Sequence, residues 1–534
     1  MKVYYNGDIL TMEDDNRQAE ILVEDAGRIV YVGDRAGAPA LDGAEEVDLQ
    51  GHTLMPAFID GHGHFSNTAL FTQTCNVLNA STNDELVALL SDYRNAHPDA
   101  KAMIATGYDH NFLVEQTHIT KAVLDRVSTE MPIVALHTSG HMGVVNSKAL
   151  EMAGVTKDTP EIPGGVIMRD PETGEPNGVL EETALFNLLT PLVGDAVSMT
   201  PEDLFKGILL AQQEYIENGV LTVQEGAAGA NDIKLVRGVA ATGQLKVDVV
   251  SYPCCTMGES AQETVRANKD CLNQYVNHYK IGGYKIVADG SPQCKTAWLT
   301  KPYTDGSNGY PWITEEDMQK YVDLAVDEEL QLLTHCNGDA TGDLFLSCYE
   351  KAMARYPEGD AHHSLRPVMI HCQTARADQL DKMADLDMIA SIFVAHVNYW
   401  GDVHLKNLGP ERAAFISPVK AAMDRGIVVN FHTDTPVTPP YMLHSVWTAV
   451  NRVTRDGIVL GPDQCVDVWR ALKAVTINAA YSYFEEDSKG SLKAGKLADL
   501  VILDKNPLAV DKMAIKDIRV LASIKEGQVL YRAK

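Results

Sequence analysis

The sequence predicts an α/β protein built on a (β/α)8 TIM barrel, with a composite β-sandwich formed by both termini. Three observations predict this fold. Eight apolar, β-prone runs lie in the middle of the chain, most are separated by stretches long enough for a helix, and both ends contain short β-rich runs broken by turns. Continuous apolar strands with helical spacers are typical of a buried parallel sheet, and eight such units indicate a barrel.

The eight runs are "LMPAFIDGH", "VLTVQEG", "KVDVVSYP", "YKIVADG", "LQLLTHC", "RPVMIHC", "MIASIFVAH" and "IVVNFHTD". Spacers such as "EEDMQKYVDLAVDEE" have helical periodicity. The gap after the first run, about residues 66–218, is too long for one crossover and predicts an insertion with its own elements. We therefore expect sandwich strands in 1–54 and 486–534, and the barrel with its insertion in 55–485.

The composition disfavours several classes of function. With 45 Lys and Arg against 73 Asp and Glu, the formal charge is -28, which repels nucleic-acid backbones and anionic membrane surfaces. The sequence has no signal-peptide pattern and no apolar stretch long enough to span a bilayer. The nine cysteines show no CxxC spacing, which argues against a thiolate zinc site. We expect a soluble cytoplasmic protein that acts on a small molecule, with a homo-oligomer as an open possibility.

Ionisable side chains occur near the carboxyl ends of six of the eight runs, which is where barrel enzymes place their chemistry. These residues are His62 and His64 on the first run, Lys285 on the fourth, His335 on the fifth, His371 on the sixth, His396 on the seventh and Asp434 on the eighth. A single histidine at a strand end is more often an ordinary hydrogen-bonded group than a ligand. The recurrence at one predicted rim favours a functional site.

The pair His62 and His64 gives the sharpest prediction. Residues i and i+2 of a strand point to the same face, so this pair can present two imidazoles to one ion. Asp60 shares that parity one layer deeper. The other strand ends add His335 and His371 for a second ion, and Asp434 as a carboxylate ligand and proton acceptor. Imidazole and carboxylate ligands without thiolate favour zinc, with manganese, iron, cobalt or nickel as alternatives.

Lys285 is unusual because a lysine in a buried strand must be neutralised, paired or modified. One chemical solution is carbamylation by carbon dioxide, which converts the amine into a carboxylate able to bridge two divalent metals. The plainer alternative is a lysine that is ion-paired or extends its amine towards solvent.

Several motifs occur together in a recognisable order. They are "LMPAFIDGHGH", "YKIVADGS", "THCNGDAT", "VMIHCQ", "HTDTPV" and "GSLKAGKLADLVILD", with "GHMGVVNSKAL" and "GEPNGVLEETA" in the insertion. Together they resemble the amidohydrolase superfamily, and most closely amidohydrolase family 3, the group that contains N-substituted formamide deformylases. The resemblance covers essentially the whole chain.

The resemblance implies a barrel with a composite β-sandwich and metal-assisted hydrolysis of a carbon–nitrogen bond. It implies His62 and His64 as ligands of one metal, Lys285 as a carbamylated bridge, His335 and His371 as ligands of the other metal, and Asp434 as ligand and general base. The sequence departs from the usual family pattern at Ala57, at Ile370 and in "IFVAH". These changes concern the surroundings of the ligands, so no relative's substrate can be transferred.

The expected reaction is attack of a metal-activated hydroxide on an amide-type carbonyl, with Asp434 passing the proton to the leaving nitrogen. His141 is a candidate for stabilising the oxyanion or orienting substrate, and His396 for lining the pocket; the alternative for both is a histidine that supports the ligands from behind or lies on the surface. Trp298 and Tyr303 are candidates for an apolar pocket wall, with ordinary packing as the alternative. The rival functions are a one-metal deaminase, a cyclic-amide or ester hydrolase, and a non-catalytic scaffold. A deaminase usually lacks the strand-four lysine and carries HxxE after strand five, whereas "CNGD" follows His335 here.

Overall fold

The computed structural model describes residues 1–15, 17–78, 80–162, 164–187, 200–257 and 260–534. By its internal contacts the chain divides into two units. The main unit comprises Met1–Ser66, Leu209–Thr435 and Pro439–Lys534, and the insertion unit comprises Asn67–Ile208 and Pro436–Thr438. The predicted insertion, about 66–218, therefore extends further than the insertion unit, because the helix Pro201–Glu217 continues into the main unit.

Among the described residues, parallel strands of the main unit form two hydrogen-bonded arcs. We number them β1 (Phe58–Ile59), β2 (Val220–Ala228), β3 (Asp248–Pro253), β4 in two parts (Tyr279–Ile281 and Gly283–Val287), β5 (Gln331–Cys336), β6 (Val368–His371), β7 (Ile389–Ile392) and β8 (Val429–Phe431). The first arc has the order β1, β2, β3 and the first part of β4, and the second runs from the second part of β4 to β8. Nearly all of their residues are buried, as expected for a parallel sheet covered on both faces.

Hydrogen bonds also join the two arcs at both of their edges. The amide of Cys255, after β3, donates to the carbonyl oxygen of Lys285 in β4 at 2.8 Å. At the other edge, the amide of Gly61, after β1, donates to the carbonyl oxygen of Phe431 in β8 at 3.2 Å. The carboxyl ends of neighbouring strands therefore lie side by side, and this arrangement positions the site.

Helices follow most of these strands. The acidic first turn of Glu315–Asp327 is capped by Thr314, whose side chain accepts a hydrogen bond from the amide of Asp317, as favoured at a helix start. The main-unit helices are Ala230–Ala241, Ala261–Ala267, Glu315–Asp327, Asp339–Met353, Ala377–Asp385, His396–Leu408, Pro410–Phe415, Val419–Met423, Met442–Asn451, Val468–Ala474 and Ile477–Ser482. Short 3-10 turns cover Arg35–Gly37, Lys269–Cys271, Pro292–Cys294, Ala361–Ser364, Pro462–Gln464 and Lys512–Asp517.

Strands from both termini share one sheet. Its six strands follow the order Gln528–Arg532, Val520–Lys525, Leu500–Leu503, Thr53–Pro56, Asp8–Leu10 and Gln18–Ala19. The amino- and carboxyl-terminal segments meet where Met55 pairs antiparallel with Val501. A second sheet has the order Arg28–Gly33, Ile21–Asp25, Lys2–Tyr5 and Glu45–Asp48. Tyr4, Leu54 and Leu500 belong to one apolar core drawn from both ends of the chain.

The insertion unit has a mixed sheet of its own. Its strands follow the order Gly165–Arg169, Pro176–Glu182, Met142–Val145, Ile133–His137, Met103–Tyr108 and Cys75–Asn76. The helices Asn83–Ala96, Lys121–Asp125 and Ser147–Met152 lie in this unit, and the helix Phe65–Phe71 begins just before it. None of the helices in the described ranges combines the length and apolarity that crossing a membrane requires.

Candidate metal centre

Four polar atoms converge in the main unit, from the segments that follow β1 and β8 and from β4 itself. Oδ1 of Asp434 lies 3.3 Å from Nε2 of His64 and 3.6 Å from Nε2 of His62. Nζ of Lys285 lies 3.4 Å from the same nitrogen of His62. Ligands about 2.1 Å from a tetrahedral ion lie about 3.4 Å from one another, so these separations fit the coordination sphere of one ion.

The carboxylate of Asp434 supplies a direct test of that fit. Oδ1 of Asp434 is buried and accepts no hydrogen bond of good geometry from the described residues. An oxygen in that position is costly unless another group compensates it. A cation between Asp434, His62 and His64 would supply that compensation, and these three residues form a group able to hold a metal ion.

His335 and His371 lie at the ends of β5 and β6, with ring centroids 4.5 Å apart. Nδ1 of His371 lies 3.2 Å from Nε2 of His432, so Nε2 of His371 is the nitrogen that would bind a metal. Nε2 of His335 lies 2.8 Å from Nδ2 of Asn337 and 3.3 Å from the carbonyl oxygen of Gly290, which assigns the metal-binding role to Nδ1. The ring nitrogens left to face a metal are therefore Nε2 of His371 and Nδ1 of His335.

The backbone is strained at this rim. His371, Cys372 and Asp434 have φ angles of 70°, 47° and 55°, in the left-handed region that residues other than glycine rarely adopt. Such strain is found mainly where the surrounding structure imposes it at a functional site. For Asp434, the amide donates to the carbonyl oxygen of His62 at 3.1 Å, which couples β8 to the segment after β1.

The segment after β1 differs from the sequence prediction. β1 ends at Ile59, so His62 and His64 lie in the loop and the alternation of a strand does not orient them. Hydrogen bonds orient them instead, because the amide of His64 donates to the carbonyl oxygen of Thr435 at 2.8 Å. Asp60 accepts from the amide of Thr433 at 3.1 Å, and burial raises its pKa to about 7.

Gln224 is a partner of His62 that the sequence analysis missed. Oε1 of Gln224, in β2, contacts Nδ1 of His62, which leaves Nε2 of His62 to face Lys285 and Asp434. A Cβ at Gly226 would lie 2.2 Å from Cε1 of His62, so only glycine fits there. The signal was present in "VLTVQEG", where two polar residues follow the apolar run within the strand.

Two further contacts support the imidazoles. The hydroxyl of Ser391 lies 2.9 Å from Nδ1 of His432, so Ser391, His432 and His371 form a chain of hydrogen bonds. Burial is the largest factor that lowers the pKa of His62 and of His371 well below the usual range, and that lowers the pKa of His432 to about 3. These imidazoles are therefore neutral at physiological pH, which is the metal-binding form.

Asp289 is a second residue that the sequence analysis passed over. This fully buried carboxylate follows β4 and accepts hydrogen bonds from the amides of Asn337 at 3.1 Å and Gly338 at 2.7 Å. Its Oδ1 lies 3.6 Å from Nε2 of His335. Burial raises the pKa of Asp289 to about 7. Asp289 thus fixes the turn that follows His335.

Lys285 lies inside β4 and is 1% exposed. Burial lowers the pKa of its amine to about 8. Among the described side chains, no carboxylate is found within ion-pair distance of Nζ, which contacts Nε2 of His62 at 3.4 Å. The ion-paired alternative raised by the sequence is therefore not what the described residues show.

His396 does not end a strand, contrary to the prediction. β7 ends at Ile392, and His396 begins the helix His396–Leu408. Its Nδ1 lies 2.9 Å from Nε2 of His404, and its ring packs on Phe393, which lies between His396 and His371. The strand ends earlier than the apolar run "MIASIFVAH" suggested, because its residues "FVA" form the turn that leads into the helix.

The other predicted pocket residues have mixed positions. Trp298 is half-buried, and its amide donates to Oδ2 of Asp289 at 3.1 Å. Tyr303 is buried with its hydroxyl on the carbonyl oxygen of Ala297, as in ordinary packing. His141 belongs to the insertion unit, where its Nδ1 lies 3.1 Å from Oε2 of Glu182. Nothing in this arrangement tests the roles predicted for Trp298 and His141.

Comparison with known proteins gives consistent results. An N-substituted formamide deformylase of Arthrobacter pascens is 28% identical, with 98% of this chain and 97% of the relative covered. The putative amidohydrolase YtcJ of Bacillus subtilis strain 168 is 24% identical, with 99% of each chain covered.

Solved structures are also similar. An uncharacterized metal-dependent hydrolase from Pyrococcus horikoshii OT3 has a TM-score of 0.75 and 25% identity, covering 96% of this chain and 99% of that one. Atrazine chlorohydrolase TrzN from Arthrobacter aurescens TC1, complexed with zinc, has a TM-score of 0.58 and 15% identity, with coverages of 100% and 95%; this likeness concerns the fold alone. A family model described as "Amidohydrolase family" matches residues 45–531. The chain therefore belongs to the amidohydrolase family and is an enzyme, an amidohydrolase.

Proposed function

We propose that this amidohydrolase cleaves a non-peptide, amide-type carbon–nitrogen bond of a small molecule with the help of one or two divalent ions, zinc being the favoured metal. The observation that carries the proposal is the convergence of His62, His64, Lys285 and Asp434 at ligand-to-ligand distances of 3.3 to 3.6 Å. When bound, a divalent ion would acidify water and polarise a carbonyl group.

The residues of the chain take distinct roles in this proposal. His62 and His64 hold one ion, and His335 and His371 hold the second. Asp434 binds metal and accepts the proton of the attacking water at its carboxylate, then donates it to the leaving nitrogen. Its burial supports this role, because a carboxylate in a water-poor site interacts more strongly with developing charge. His141, His396 and Trp298 stay candidates for substrate contacts.

The fold supports the same proposal. We infer that the two parallel arcs are the (β/α)8 barrel, that the sheets from both termini form the composite β-sandwich, and that the insertion shapes the substrate range. The likeness of the whole chain to hydrolase structures supports this inference. A small-molecule substrate, a cytoplasmic location and homo-oligomerisation stay predictions from the sequence.

Lys285 would act as a carbamate. Its neutral amine attacks carbon dioxide, the new N–C bond forms, and the amine loses one proton to solvent. Burial favours this step, since a pKa of about 8 leaves a fraction of the amine neutral at pH 7. Protein loaded with ¹³C-bicarbonate and zinc should show one carbamate NMR signal per chain. Lys285→Met should lack it, and an equal signal in that variant would contradict the assignment.

The function is tested with protein purified without chelator. We expect stoichiometric zinc or another transition metal by elemental analysis, and formate release from N-alkyl and N-aryl formamides. These probes are chosen because the Arthrobacter pascens relative bears the deformylase name. A heterocyclic amine panel, assayed for ammonia, tests the deaminase alternative. Protein that holds no transition metal, or that holds metal but hydrolyses none of a broad amide panel, would contradict the proposal.

A further inference from the structure

The insertion unit contains a second convergence of metal-binding side chains. Its strands Met103–Tyr108 and Ile133–His137 run parallel, with Tyr108 opposite His137. Asp109 and His110 directly follow the first strand, and His137 ends the second. Because both carboxyl ends lie at the same edge of the sheet, these three side chains meet there.

The three candidate ligand atoms form a nearly regular triangle. Nε2 of His137 lies 3.2 Å from Nδ1 of His110 and 3.2 Å from Oδ1 of Asp109. The third edge, from Nδ1 of His110 to Oδ1 of Asp109, is 3.9 Å. Ligands of a tetrahedral zinc-type ion at about 2.1 Å lie about 3.4 Å apart, so one ion fits with small adjustments.

Neighbouring groups hold this triangle in place. The hydroxyl of Thr138 donates to Oδ2 of Asp109 at 3.1 Å, on the side away from the triangle. The backbone amide and the side-chain nitrogen of Asn111 both donate to Oδ1 at 2.9 Å, so a metal would share this oxygen with them. The hydroxyl of Ser139 lies 2.9 Å from Nδ1 of His137. Partners of this kind orient metal ligands in known sites.

The three side chains lie in a largely buried part of the insertion unit. Asp109 and His137 are buried, and the side chain of His110 is 16% exposed. The ring of His118 lies against that of His110, with centroids 3.8 Å apart.

One proton must move when an ion binds. The amide of Ser139 also donates to Nδ1 of His137 at 3.1 Å, so the metal-free ring carries its proton on Nε2, facing Asp109. With Nε2 coordinated to an ion, the ring would carry its proton on Nδ1 and donate a hydrogen bond to the hydroxyl oxygen of Ser139. The change is a tautomer shift without net proton release, at the cost of one backbone hydrogen bond.

We propose that Asp109, His110 and His137 bind one divalent transition metal ion, with the fourth position open to water or a small anion. Two imidazoles and one carboxylate favour zinc, cobalt, nickel or copper over magnesium and calcium. The ion would join the ends of two neighbouring strands of the insertion unit. This site is independent of the proposed reaction at the main-unit rim.

The test uses full-length protein in which His62→Gln and His64→Gln weaken the main-unit centre. We expect this variant to bind one equivalent of Co²⁺ beyond any ion that His335 and His371 still hold, and this equivalent should show the intense visible bands of a tetrahedral ion. Adding His110→Gln should weaken that binding at least about 100-fold. The matched control is His97→Gln, because His97 is an exposed imidazole of the same unit whose Nδ1 contacts the carbonyl oxygen of Tyr93. It should keep the cobalt spectrum.

A second measurement covers the case in which the double variant does not fold. In otherwise unchanged protein, His110→Gln should lower the cobalt content by one equivalent per chain, whereas His97→Gln should not change it. Equal cobalt content and affinity in these two variants would overturn the proposal. So would a folded His62→Gln/His64→Gln protein that binds no cobalt at millimolar concentration.

Discussion

The two ends of the parallel strands both bury charged side chains, but they balance them differently. At the amino ends, three lysines face three acidic groups within the main unit; these are Lys280, Lys489 and Lys525 with Asp248, Glu485 and Asp499. At the carboxyl ends, Asp434 presents an oxygen without a hydrogen bond among the described residues, and Lys285 faces an imidazole. The amino ends are thus organised for stability, and the carboxyl ends leave ligand positions for a cation.

The largest effect is expected from removing one acidic group at the amino ends of the strands, where the charges are balanced. Nζ of Lys525 contacts both Asp248 and Asp499 at 2.6 Å, and Lys489 also contacts Asp248. Asp248→Asn leaves one buried positive charge in excess, which typically costs about 3–5 kcal/mol of unfolding free energy. Urea unfolding measures this loss.

Asp305→Asn is the matched control, because its pair with Lys295 is exposed and such pairs contribute at most about 1 kcal/mol. Equal urea midpoints for Asp248→Asn and Asp305→Asn would show that the amino ends do not depend on charge balance.

The next prediction concerns the other end. Asp434→Asn should lower kcat/KM at least about 100-fold, because it removes both a ligand and the proton acceptor. In chelator, however, it should lower the free energy of unfolding less than Asp248→Asn does, because the partners of Asp434 are imidazoles, whereas those of Asp248 are two lysines. Formate release and urea unfolding give the two readings. A large loss of stability without metal would mean that Asp434 serves the fold rather than a cation.

A smaller effect tests the contacts behind the ligands. His432→Leu removes the partner of Nδ1 of His371, and the loss of such a partner weakens metal affinity about 10–100-fold. His432→Gln offers an amide oxygen near the same place and should restore most of the affinity. Competition with a chromophoric chelator measures both variants. If His432→Gln binds metal as weakly as His432→Leu, then filling of space, and not the hydrogen bond, explains the effect.

The sequence predicted strand ends better than it predicted the contacts between them. Lys285, His335 and His371 lie in β4, β5 and β6 as expected, because an apolar run followed by a polar residue is a local signal. His62 and His64 meet Asp434, but a loop positions them, and the strand ends earlier than the apolar run suggested. His396 opens a helix because the run "IFVAH" includes the turn that begins it.

The missed residues depend on pairings far apart in sequence. Gln224 is 162 residues from His62, and Asp289 is 48 residues from Asn337, whose amide donates a hydrogen bond to it. No local pattern encodes such partners, since they follow from strand order and register. The same reason explains why Asp109, His110 and His137 were not recognised together: their meeting depends on two insertion strands being parallel neighbours.

The smallest expected effect contrasts the two ends by their dependence on pH. Burial acts to raise the pKa of Asp248, but Lys489 and Lys525 more than offset it and hold the pKa well below 3.8. The native state therefore binds fewer protons than the unfolded chain, so this stabilisation is present above pH 3.8 and is lost as the pH falls through the folded-state pKa.

The ionisation of Asp289 changes stability with pH in the opposite direction. Burial raises its pKa from 3.8 to about 7, so the native state retains a proton that the unfolded chain releases. The associated stabilisation is present below pH 3.8 and is lost as the pH rises to about 7. In chelated protein, we therefore expect the free energy of unfolding of Asp289→Asn, measured relative to the unchanged protein, to be higher at pH 8 than at pH 5. The expected increase is at least about 1.4 kcal/mol, the equivalent of one pKa unit.

Urea unfolding at pH 5 and pH 8 measures that difference, and Asp248→Asn serves as the matched control because its linkage lies in the acid range. The control should differ from the unchanged protein by the same amount at both pH values. If Asp289→Asn also shows a constant difference, its carboxylate is ionised throughout in the folded state. The four donors around it would then outweigh its burial, and both ends of the strands would hold charges that the fold itself neutralises.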